Sequence, residues 1–225
     1  MRDLPLPTLP MADLSSHLSA ESRAARRSLH PRSAPEASTR AGIEVVWART
    51  AQDVLAAQRL RYDIFAVEMG ARLSVPVGSP AGHDIDLFDP YCEHLLVRLD
   101  TGTNEPGQVI GTYRVLTPES AKRIGGLYSE TEFDLTRLRP LRGKMVELGR
   151  SCVHPDHRNG GAIMALWGAL AEFMVRNDLD TMVGCASISM RDGGHMAASL
   201  YEQLRHTHLA PIEHHVRPRL PLPVE

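Results

Sequence analysis

Apolar residues recur at helical spacing between residues 163 and 174, behind a polar loop that contains a pair of glycines. The repeat consists of Ile163, Leu166, Trp167, Leu170 and Met174. Such spacing predicts a helix with one buried face, and the apolar residues 144–153 before the loop predict a strand. In this order of elements, Gly160 and Gly161 let an anion approach the free N–H groups of the first helical turn. An ordinary βα unit with a glycine turn has the same pattern, so both interpretations stay open.

The remaining pattern predicts strands that alternate with helices. The predicted strands are residues 43–48, 93–99, 108–116 and 181–187, and the predicted helices are residues 50–69, 118–123 and 194–205. Thr50 is the expected N-cap of the first helix. Residues 75–82 predict a loop and residues 104–107 a turn, while alternating apolar residues and prolines after residue 210 predict an edge strand. Interleaved strands and helices indicate an α/β fold with helices on the faces of a sheet.

Residues 1–40 differ from the rest of the chain in composition. They are rich in Pro, Ser, Ala and Arg and contain few large apolar residues. Because such a segment buries too little surface to offset its ordering entropy, we expect a disordered tail before a domain at residues 41–225. The arginines of this tail leave contact with an anionic membrane open, although a solvated tail is the simpler interpretation.

Composition narrows the functional classes. The chain has 225 residues and a net charge of −2, so bulk attraction to nucleic acid is not expected. No apolar run is long enough to span a bilayer, and the first residues lack the layout of a secretory signal. Three separated cysteines without a C-x-x-C spacing favour a reduced, cytoplasmic setting. The histidines have no zinc-type framework of cysteines or carboxylates, so we expect no metal.

Charged residues occur where a strand or helix should be buried. They are Arg61, Asp86, Asp89, Arg114, Glu147 and Arg150. A buried charge is costly unless it has a partner. Taken one at a time, structural ion pairs or exposure to water would explain each of them.

As a set, these residues resemble a known signature. Arg-x-x-x-Phe at Arg61 and Phe65, Asp-x-x-Asp, an arginine after a strand, and Glu-x-x-Arg resemble the acyl-homoserine lactone synthases. The amino-acid sequence around these residues is more similar to another GNAT-like branch, the ornithine-acyl-[acyl carrier protein] N-acyltransferases, often labelled hemolysin-like. That similarity covers about residues 43–217, in RYDIFAVEM at 61–69, DPYCEHLLV at 89–97, GTYRVL at 111–116, YSETEFDL at 128–135, ELGRSCV at 147–153 and GCAS at 184–187.

The loop before the long helix resembles the pantetheine-pyrophosphate loop of the GNAT fold. That loop usually reads Gln or Arg, two residues, Gly, one residue, then Gly or Ala. Here His157 takes the first position, Gly160 the fourth and Ala162 the sixth. The histidine leaves room for a pantetheine carrier other than coenzyme A. The resemblance implies a GNAT-like acyltransferase fold, in which a mixed central sheet has helices on both faces.

The resemblance also implies a reaction. A fatty acyl group, 3-hydroxylated or not, would move from an acyl carrier protein thioester to the amine of ornithine or a related amino acid, without a covalent enzyme intermediate. The amine must lose a proton, since an α-ammonium has no lone pair and a reference pKa of about 8. Glu147 is the candidate base, or alternatively it orients Arg150 or Arg114. Strict alternation places Glu147 and Arg150 on opposite faces, unless a bulge lies between them.

The same resemblance assigns binding residues. Arg61, Arg114 and Arg150 are the alternatives for an acceptor carboxylate, Asp86 or Asp89 would bind a side-chain ammonium, and Phe65 would line the pocket. The residues implied for donor binding are Ser151, Cys152, Val153, Arg158, Gly160, Gly161 and Ala162. Backbone N–H groups of residues 151–153 would stabilise the oxyanion. For Cys152, packing is a better explanation than nucleophilic catalysis.

Several functional alternatives remain open. A basic cluster of Arg137, Arg139, Arg142 and Lys144 is either a docking surface for acidic acyl carrier protein or an ordinary solvated run. The competing activities are an acyl-homoserine lactone synthase, an acetyl-coenzyme A-dependent acetyltransferase and a non-catalytic acyl-carrier or lipid-binding module. The presence of Glu147 counts against the last of these. No resident cofactor is expected, the donor is acyl carrier protein or acyl-coenzyme A, and a peripheral position on the inner membrane stays open.

Overall fold

A five-stranded mixed sheet forms the centre of the computed structural model, which describes residues 42–103 and 105–221. Its strands, in spatial order, are β1 (Ile43–Trp47), β2 (Glu93–Leu99), β3 (Val109–Leu116), β5 (Met145–Val153) and β6 (Thr181–Val183). The pairs β1–β2, β2–β3 and β3–β5 are antiparallel, and β5–β6 is parallel. Two short strands, β4 (Phe133–Asp134) and β7 (Arg217–Pro218), form a separate sheet. The tail predicted at residues 1–40 and Asn104 of the predicted turn lie outside the described residues.

Helices pack against both faces of the central sheet. Helix α1 (Ala51–Tyr62) contacts Leu96 of β2, whereas α4 (Gly161–Arg176) packs on the opposite face against Leu95 and Val97. Successive residues of a strand point to opposite faces, so the apolar run of β2 has a core on each side. The predicted mixed sheet with helices on both faces is therefore confirmed.

The helix predicted at residues 50–69 consists of two parts. Thr50 caps α1 through a capping box: the Asp53 N–H donates to Thr50 Oγ1 at 3.2 Å, and the Thr50 N–H donates to the Asp53 carboxylate at 2.9 Å. From Asp63–Glu68 the backbone winds as a π-helix. Apolar spacing does not distinguish a π-helical turn from an α-helical one. The prediction of a regular helix over these residues was therefore wrong.

Three further α-helices of the described residues lie outside the pair that packs on the central sheet. They are α2 (Pro118–Ile124), α3 (Ser129–Glu132) and α5 (His195–Thr207). The predictions at residues 118–123 and 194–205 match α2 and α5 within two residues at each end. No helix within the two described ranges is long and apolar enough to cross a membrane.

Two strand predictions near the C-terminus need correction. The strand predicted at residues 181–187 ends at Val183, next to Gly184, where an added Cβ would lie 2.4 Å from the carbonyl oxygen of Leu148. The edge strand predicted after residue 210 is only two residues long and pairs with β4 rather than with the central sheet. Prolines in this segment remove ladder donors, which limits its pairing.

Candidate active site

Arg61 and Asp89 are the buried centre of a network of ion pairs on the α1 side of the sheet. The Nη1 and Nη2 atoms of Arg61 donate to the two carboxylate oxygens of Asp89, both at 3.0 Å. The Nε atom of Arg61 donates to Asp84 at 2.8 Å. Arg61 comes from α1, whereas both aspartates belong to the segment that leads into β2. The network therefore fixes this segment against the helix.

Arg114 of β3 extends the network. Its Nη1 atom donates to the Asp86 carboxylate at 2.6 and 2.7 Å and to Asp89 at 2.8 Å. Burial alone would raise the pKa of Asp89, but the charges of Arg61 and Arg114 and their hydrogen bonds outweigh it and lower the pKa to about 2. The aspartates in turn raise the pKa of Arg114 despite its burial. These groups are thus charged and paired.

A bulge in β5 places Arg150 beside the same network. Arg114 pairs with Gly149, but Thr112 pairs with Cys152, so β5 has one extra residue. Arg150 has a φ of +51°, an uncommon conformation for a residue with a side chain. Its guanidinium nitrogens lie 3.2 Å from Asp84 and 3.4 Å from Asp86.

Arg150 differs from the other two arginines in its exposure. Its side chain is 28% exposed, compared with 1% for Arg61 and 7% for Arg114. The guanidinium carbon lies 5.9 Å from the ring centroids of both Phe65 and Tyr128, a distance at which a cation and a ring attract. Arg150 is therefore held in place by rings and carboxylates and still has an accessible edge.

Glu147 contacts a different partner from those predicted. Its Oε2 atom accepts the backbone N–H of Tyr128 at 2.7 Å, and its Oε1 atom accepts that of Ser129 at 2.6 Å. It binds neither Arg114 nor Arg150, the two alternatives considered from the sequence. Glu147 and Arg150 nevertheless both contact Tyr128. Glu147 binds its backbone N–H, and Arg150 lies against its ring. Each carboxylate oxygen has one lone-pair position left.

The sheet opens next to Glu147. The parallel pairing of β5 with β6 stops at Glu147 and Val183, so residues 148–153 have no strand partner on that side. Beyond the opening, Cys152 is buried against Ala57 and Leu60 of α1. Burial raises the pKa of the Cys152 thiol to about 12, which makes it a poor nucleophile at neutral pH. This fits the prediction that Cys152 has a packing role.

The loop between β5 and α4 presents the first turn of a sixteen-residue helix. Gly160 is the N-cap at a φ of +95°, where glycine is favoured. The Gly161 N–H donates to Asn159 Oδ1 at 3.3 Å, whereas the N–H of Ala162 has no partner within the helix. Arg158 lies in the same loop, and its Nε atom donates to the carbonyl of Val153 at 3.1 Å.

The basic cluster, for which a docking surface and an ordinary solvated run were both left open, lies away from this loop. It precedes β5, whereas the loop follows β5, and the two ends of this strand are about 26 Å apart at the usual rise per residue. Within the cluster, Arg142 pairs with Glu130 and Lys144 pairs with Asp178 at 2.9 Å. The cluster is thus not at the loop end of the site.

Four contributing residues were missed by the sequence reasoning. They are Asp84, Tyr128, Ser129 and Glu68. Asp84 could have been identified from the sequence, because it precedes the Asp-x-x-Asp pair by two residues in the same segment. Tyr128 and Ser129 act on Glu147 through backbone N–H groups, which leave no signal in residue type. In the part of the chain that the structure describes, no group of three His, Cys, Asp or Glu residues is placed to hold a metal.

Comparison with known proteins gives consistent matches. Residues 60–168 match the family model of the acetyltransferase (GNAT) domain. An L-ornithine N(alpha)-acyltransferase of Rhodobacter capsulatus is 39% identical over 173 residues, which are 75% of this chain and 64% of the relative. One from Brucella abortus is 40% identical over 64% of this chain and 52% of the relative. The chain thus spans between half and two thirds of the length of these relatives.

Solved structures with low sequence identity align with parts of this chain. The acyl-homoserine lactone synthase LasI aligns with 63% of this chain and 70% of its own chain, with a TM-score of 0.43 and 21% identity. A putative N-acetyltransferase from Lactobacillus plantarum aligns with 69% of this chain and 83% of its own, with a TM-score of 0.41 and 15% identity.

Proposed function

We propose that this chain, whose residues 60–168 match the model of the acetyltransferase (GNAT) domain, is an N-acyltransferase acting on an amino acid. The proposed donor is a fatty acyl thioester of acyl carrier protein, and the proposed acceptor is ornithine or a related amino acid. Relatives at about 40% identity bear the name L-ornithine N(alpha)-acyltransferase. The structural observation that carries the proposal is that Glu147 and Arg150 meet at Tyr128, where β5 and β6 separate.

The proposed reaction is a direct transfer. The neutral α-amine attacks the thioester carbonyl, the C–N bond forms, and the C–S bond breaks with release of the pantetheine thiol. Glu147 takes one proton of the ammonium, directly or through water, at a free lone-pair position of its carboxylate. The second proton, which the nitrogen loses as the amide forms, passes to the leaving sulfur and gives the thiol. Its two backbone hydrogen bonds hold the carboxylate in one orientation, which suits a base that acts repeatedly in the same geometry.

The exposure of the network suggests how an amino acid would be oriented. Arg150 is the most exposed of the three arginines, and Asp86 is the most exposed of the three aspartates, with a side chain that is 15% exposed. We assign the acceptor carboxylate to Arg150 and a side-chain ammonium to Asp86. Arg61, Arg114 and Asp89 then position these two groups rather than bind the substrate, because their charges are already paired with one another.

The donor would occupy the opening between β5 and β6. The backbone N–H groups of Gly160, Gly161 and Ala162 and the side chain of Arg158 would contact its phosphate. The bulge leaves Ser151 out of the pairing with β3, whereas Cys152 and Val153 pair with Thr112 and Gly111. Within residues 151–153, the N–H of Ser151 is therefore the first candidate for binding the oxyanion. The proposed carrier is acyl carrier protein rather than coenzyme A, and the proposed location is the cytoplasm, at or near the inner membrane that would receive a fatty amide.

Incubation of the purified protein with acyl thioesters and a mixture of amino acids tests the proposal. Acyl carrier protein charged with several chain lengths, with and without a 3-hydroxyl group, supplies the donor. Mass spectrometry should show an N-acyl amino acid, with ornithine as a preferred acceptor. An acyl lactone from S-adenosylmethionine, N-acetylation from acetyl-coenzyme A alone, or no product with any thioester would contradict it.

A further inference from the structure

Glu68 holds the arginine of the phosphate loop in a two-point ion pair. The Nη1 and Nη2 atoms of Arg158 donate to Oε1 and Oε2 of Glu68, both at 2.7 Å. Together with the bond from Nε to the Val153 carbonyl, every nitrogen of the guanidinium is engaged. Such fork-to-fork pairs are among the stronger hydrogen bonds in proteins. The positive charge of Arg158 is thus largely compensated before a donor arrives.

The loop offers little other positive charge. Between His154 and Ala162, Arg158 is the only arginine or lysine, and Asp156 adds a carboxylate. His157 occupies the position at which the usual GNAT loop has Gln or Arg. With neutral histidines, one positive charge faces the two negative charges of Asp156 and Glu68. The hydrogen bond from Arg158 lowers the pKa of Glu68, so its carboxylate is ionised at neutral pH.

The position of Glu68 is set by the π-helix. Glu68 is the last residue of this element, and Phe65, three residues earlier, lies beside Arg150. π-helices are rare and occur often at functional sites. The wide turn therefore supplies one side chain to the acceptor side of the site and one to the loop. Glu68 also lines a groove of about 410 Å³ that extends to His154 and Pro155 of the loop.

We propose that Glu68 is a specificity-determining residue that discriminates against coenzyme A as the acyl carrier. The proposal rests on the function proposed above. Coenzyme A carries a pyrophosphate and a further phosphate, whereas a pantetheine arm on a carrier protein carries one phosphodiester. The Glu68 carboxylate repels each added negative charge near the loop. It also weakens the attraction between that charge and Arg158, because the positive charge of Arg158 is already paired. The pair thus favours a donor with a single phosphate.

A series of thioesters with increasing phosphate charge tests this role without a carrier protein. The same acyl group is attached to N-acetylcysteamine, which has no phosphate, to 4′-phosphopantetheine and to coenzyme A. For Glu68→Gln relative to the wild type, we expect kcat/KM to stay within about twofold for the first donor and to rise about tenfold for coenzyme A. Phosphopantetheine should give an intermediate rise.

A matched control lies near the C-terminal end of α4, away from the loop. Glu172 pairs with Arg176, so Glu172→Gln makes the same change of residue type but leaves Arg158 paired. The ratio of kcat/KM in this variant to kcat/KM in the wild type should stay near one for all three donors. Glu68→Asp, which retains the charge, should keep the low use of coenzyme A, and a thermal unfolding curve for each variant separates a change in specificity from a loss of folding.

If Glu68→Gln changes kcat/KM by the same factor for all three donors, or lowers kcat/KM for coenzyme A, the proposed role of Glu68 is overturned. Glu68 would then only hold Arg158 in place. Calorimetric binding of coenzyme A tests the same charge effect without turnover. There, Glu68→Gln should tighten binding about tenfold, and unchanged binding would contradict the inference. If the wild type turns over no thioester at all, the proposed function fails, whereas the binding result still decides the role of Glu68.

Discussion

The carboxylate of Glu147 accepts the backbone N–H of Ser129 at 2.6 Å, across eighteen residues of sequence. Together with the bond from Tyr128, this contact ties the middle of β5 to the start of α3. Tyr128 also places its ring against Arg150. The candidate base and the candidate carboxylate-binding arginine are therefore positioned by the same residue, and a change at Glu147 should affect both chemistry and local structure.

Glu147→Gln separates these two effects. The glutamine retains one acceptor oxygen, but its amide group faces a backbone N–H, so we expect a loss of about 2 kcal/mol of unfolding free energy. If Glu147 is the base, kcat should also fall by about 100-fold or more. Urea unfolding and steady-state rates measure the two quantities. Ser129→Ala is the control, since it keeps the backbone donor and should change both little. A kcat close to that of the wild type in Glu147→Gln would remove it as the base.

Arg150→Lys tests the assignment of the acceptor carboxylate. Lysine lacks the planar fork of arginine, so the KM for ornithine should rise about 10- to 100-fold, while the KM for the thioester stays nearly constant. Arg123 is a matched control, because its guanidinium carbon lies 5.8 Å from the Tyr91 ring outside the network. Arg123→Lys should leave both KM values unchanged. Equal rises in the two KM values for Arg150→Lys would point to a general distortion.

The paired state of Asp89 predicts a pH dependence of stability. Its pKa is about 2 in the folded protein, below the value of about 3.9 for an unperturbed aspartate. Its ionised form therefore contributes stability above pH 4 that is lost as the pH falls from about 4 to about 2. The difference in unfolding free energy between the wild type and Asp89→Asn should shrink by about 2 kcal/mol over that range.

Denaturant titrations at several pH values measure this difference. Glu44→Gln, which changes a carboxylate of β1 outside the network, should show no comparable convergence with the wild type. A difference that stays constant between pH 4 and pH 2 would mean that Asp89 is not held ionised by Arg61 and Arg114.

The raised pKa values of the three cysteine thiols, of which Cys152 is buried and the other two are partly exposed, predict resistance to alkylation. Burial raises the pKa of both Cys92 and Cys152 to about 12 and also raises that of Cys185. Since the thiolate is the reactive form, iodoacetamide at pH 8 should label the folded protein slowly and leave turnover intact. Cys152→Ala should remain active, which direct transfer requires. Rapid inactivation that parallels labelling of Cys152 would instead indicate an acyl-enzyme. Unfolded protein provides the labelling control.

The sequence predicts much of this fold because local pattern determines it. The apolar run at residues 93–99 became β2 with the same bounds, and Thr50 caps α1 as expected. The strand predicted at residues 181–187 was too long at its C-terminal end, because its pairing with β5 stops at Val183, and pairing between distant segments leaves no local pattern. The π-helix was missed because its residues have the same apolar spacing as a regular helix.

The residues of the site were easier to predict than their partners. Arg61, Asp86, Asp89, Arg114 and Arg150 were all singled out, and the structure brings them into one network. The pairing itself depends on tertiary structure: Arg150 reaches Asp86 across 64 residues. Orientation of Arg150 or Arg114 was the alternative role considered for Glu147, yet its carboxylate binds two backbone N–H groups, which every residue except proline possesses. Sequence therefore identified the charges but not the geometry that assigns their roles.

The central claim is direct acyl transfer from a thioester to the α-amine of an amino acid, and isotopic labelling tests it most directly. Ornithine labelled with ¹⁵N only at the α-nitrogen is incubated with the purified protein and acyl carrier protein charged with a fatty acid, and the amide is analysed by tandem mass spectrometry. We expect an N-acyl ornithine whose amide nitrogen carries the label. An unlabelled amide at the side-chain nitrogen, or no amide from any thioester, would contradict it.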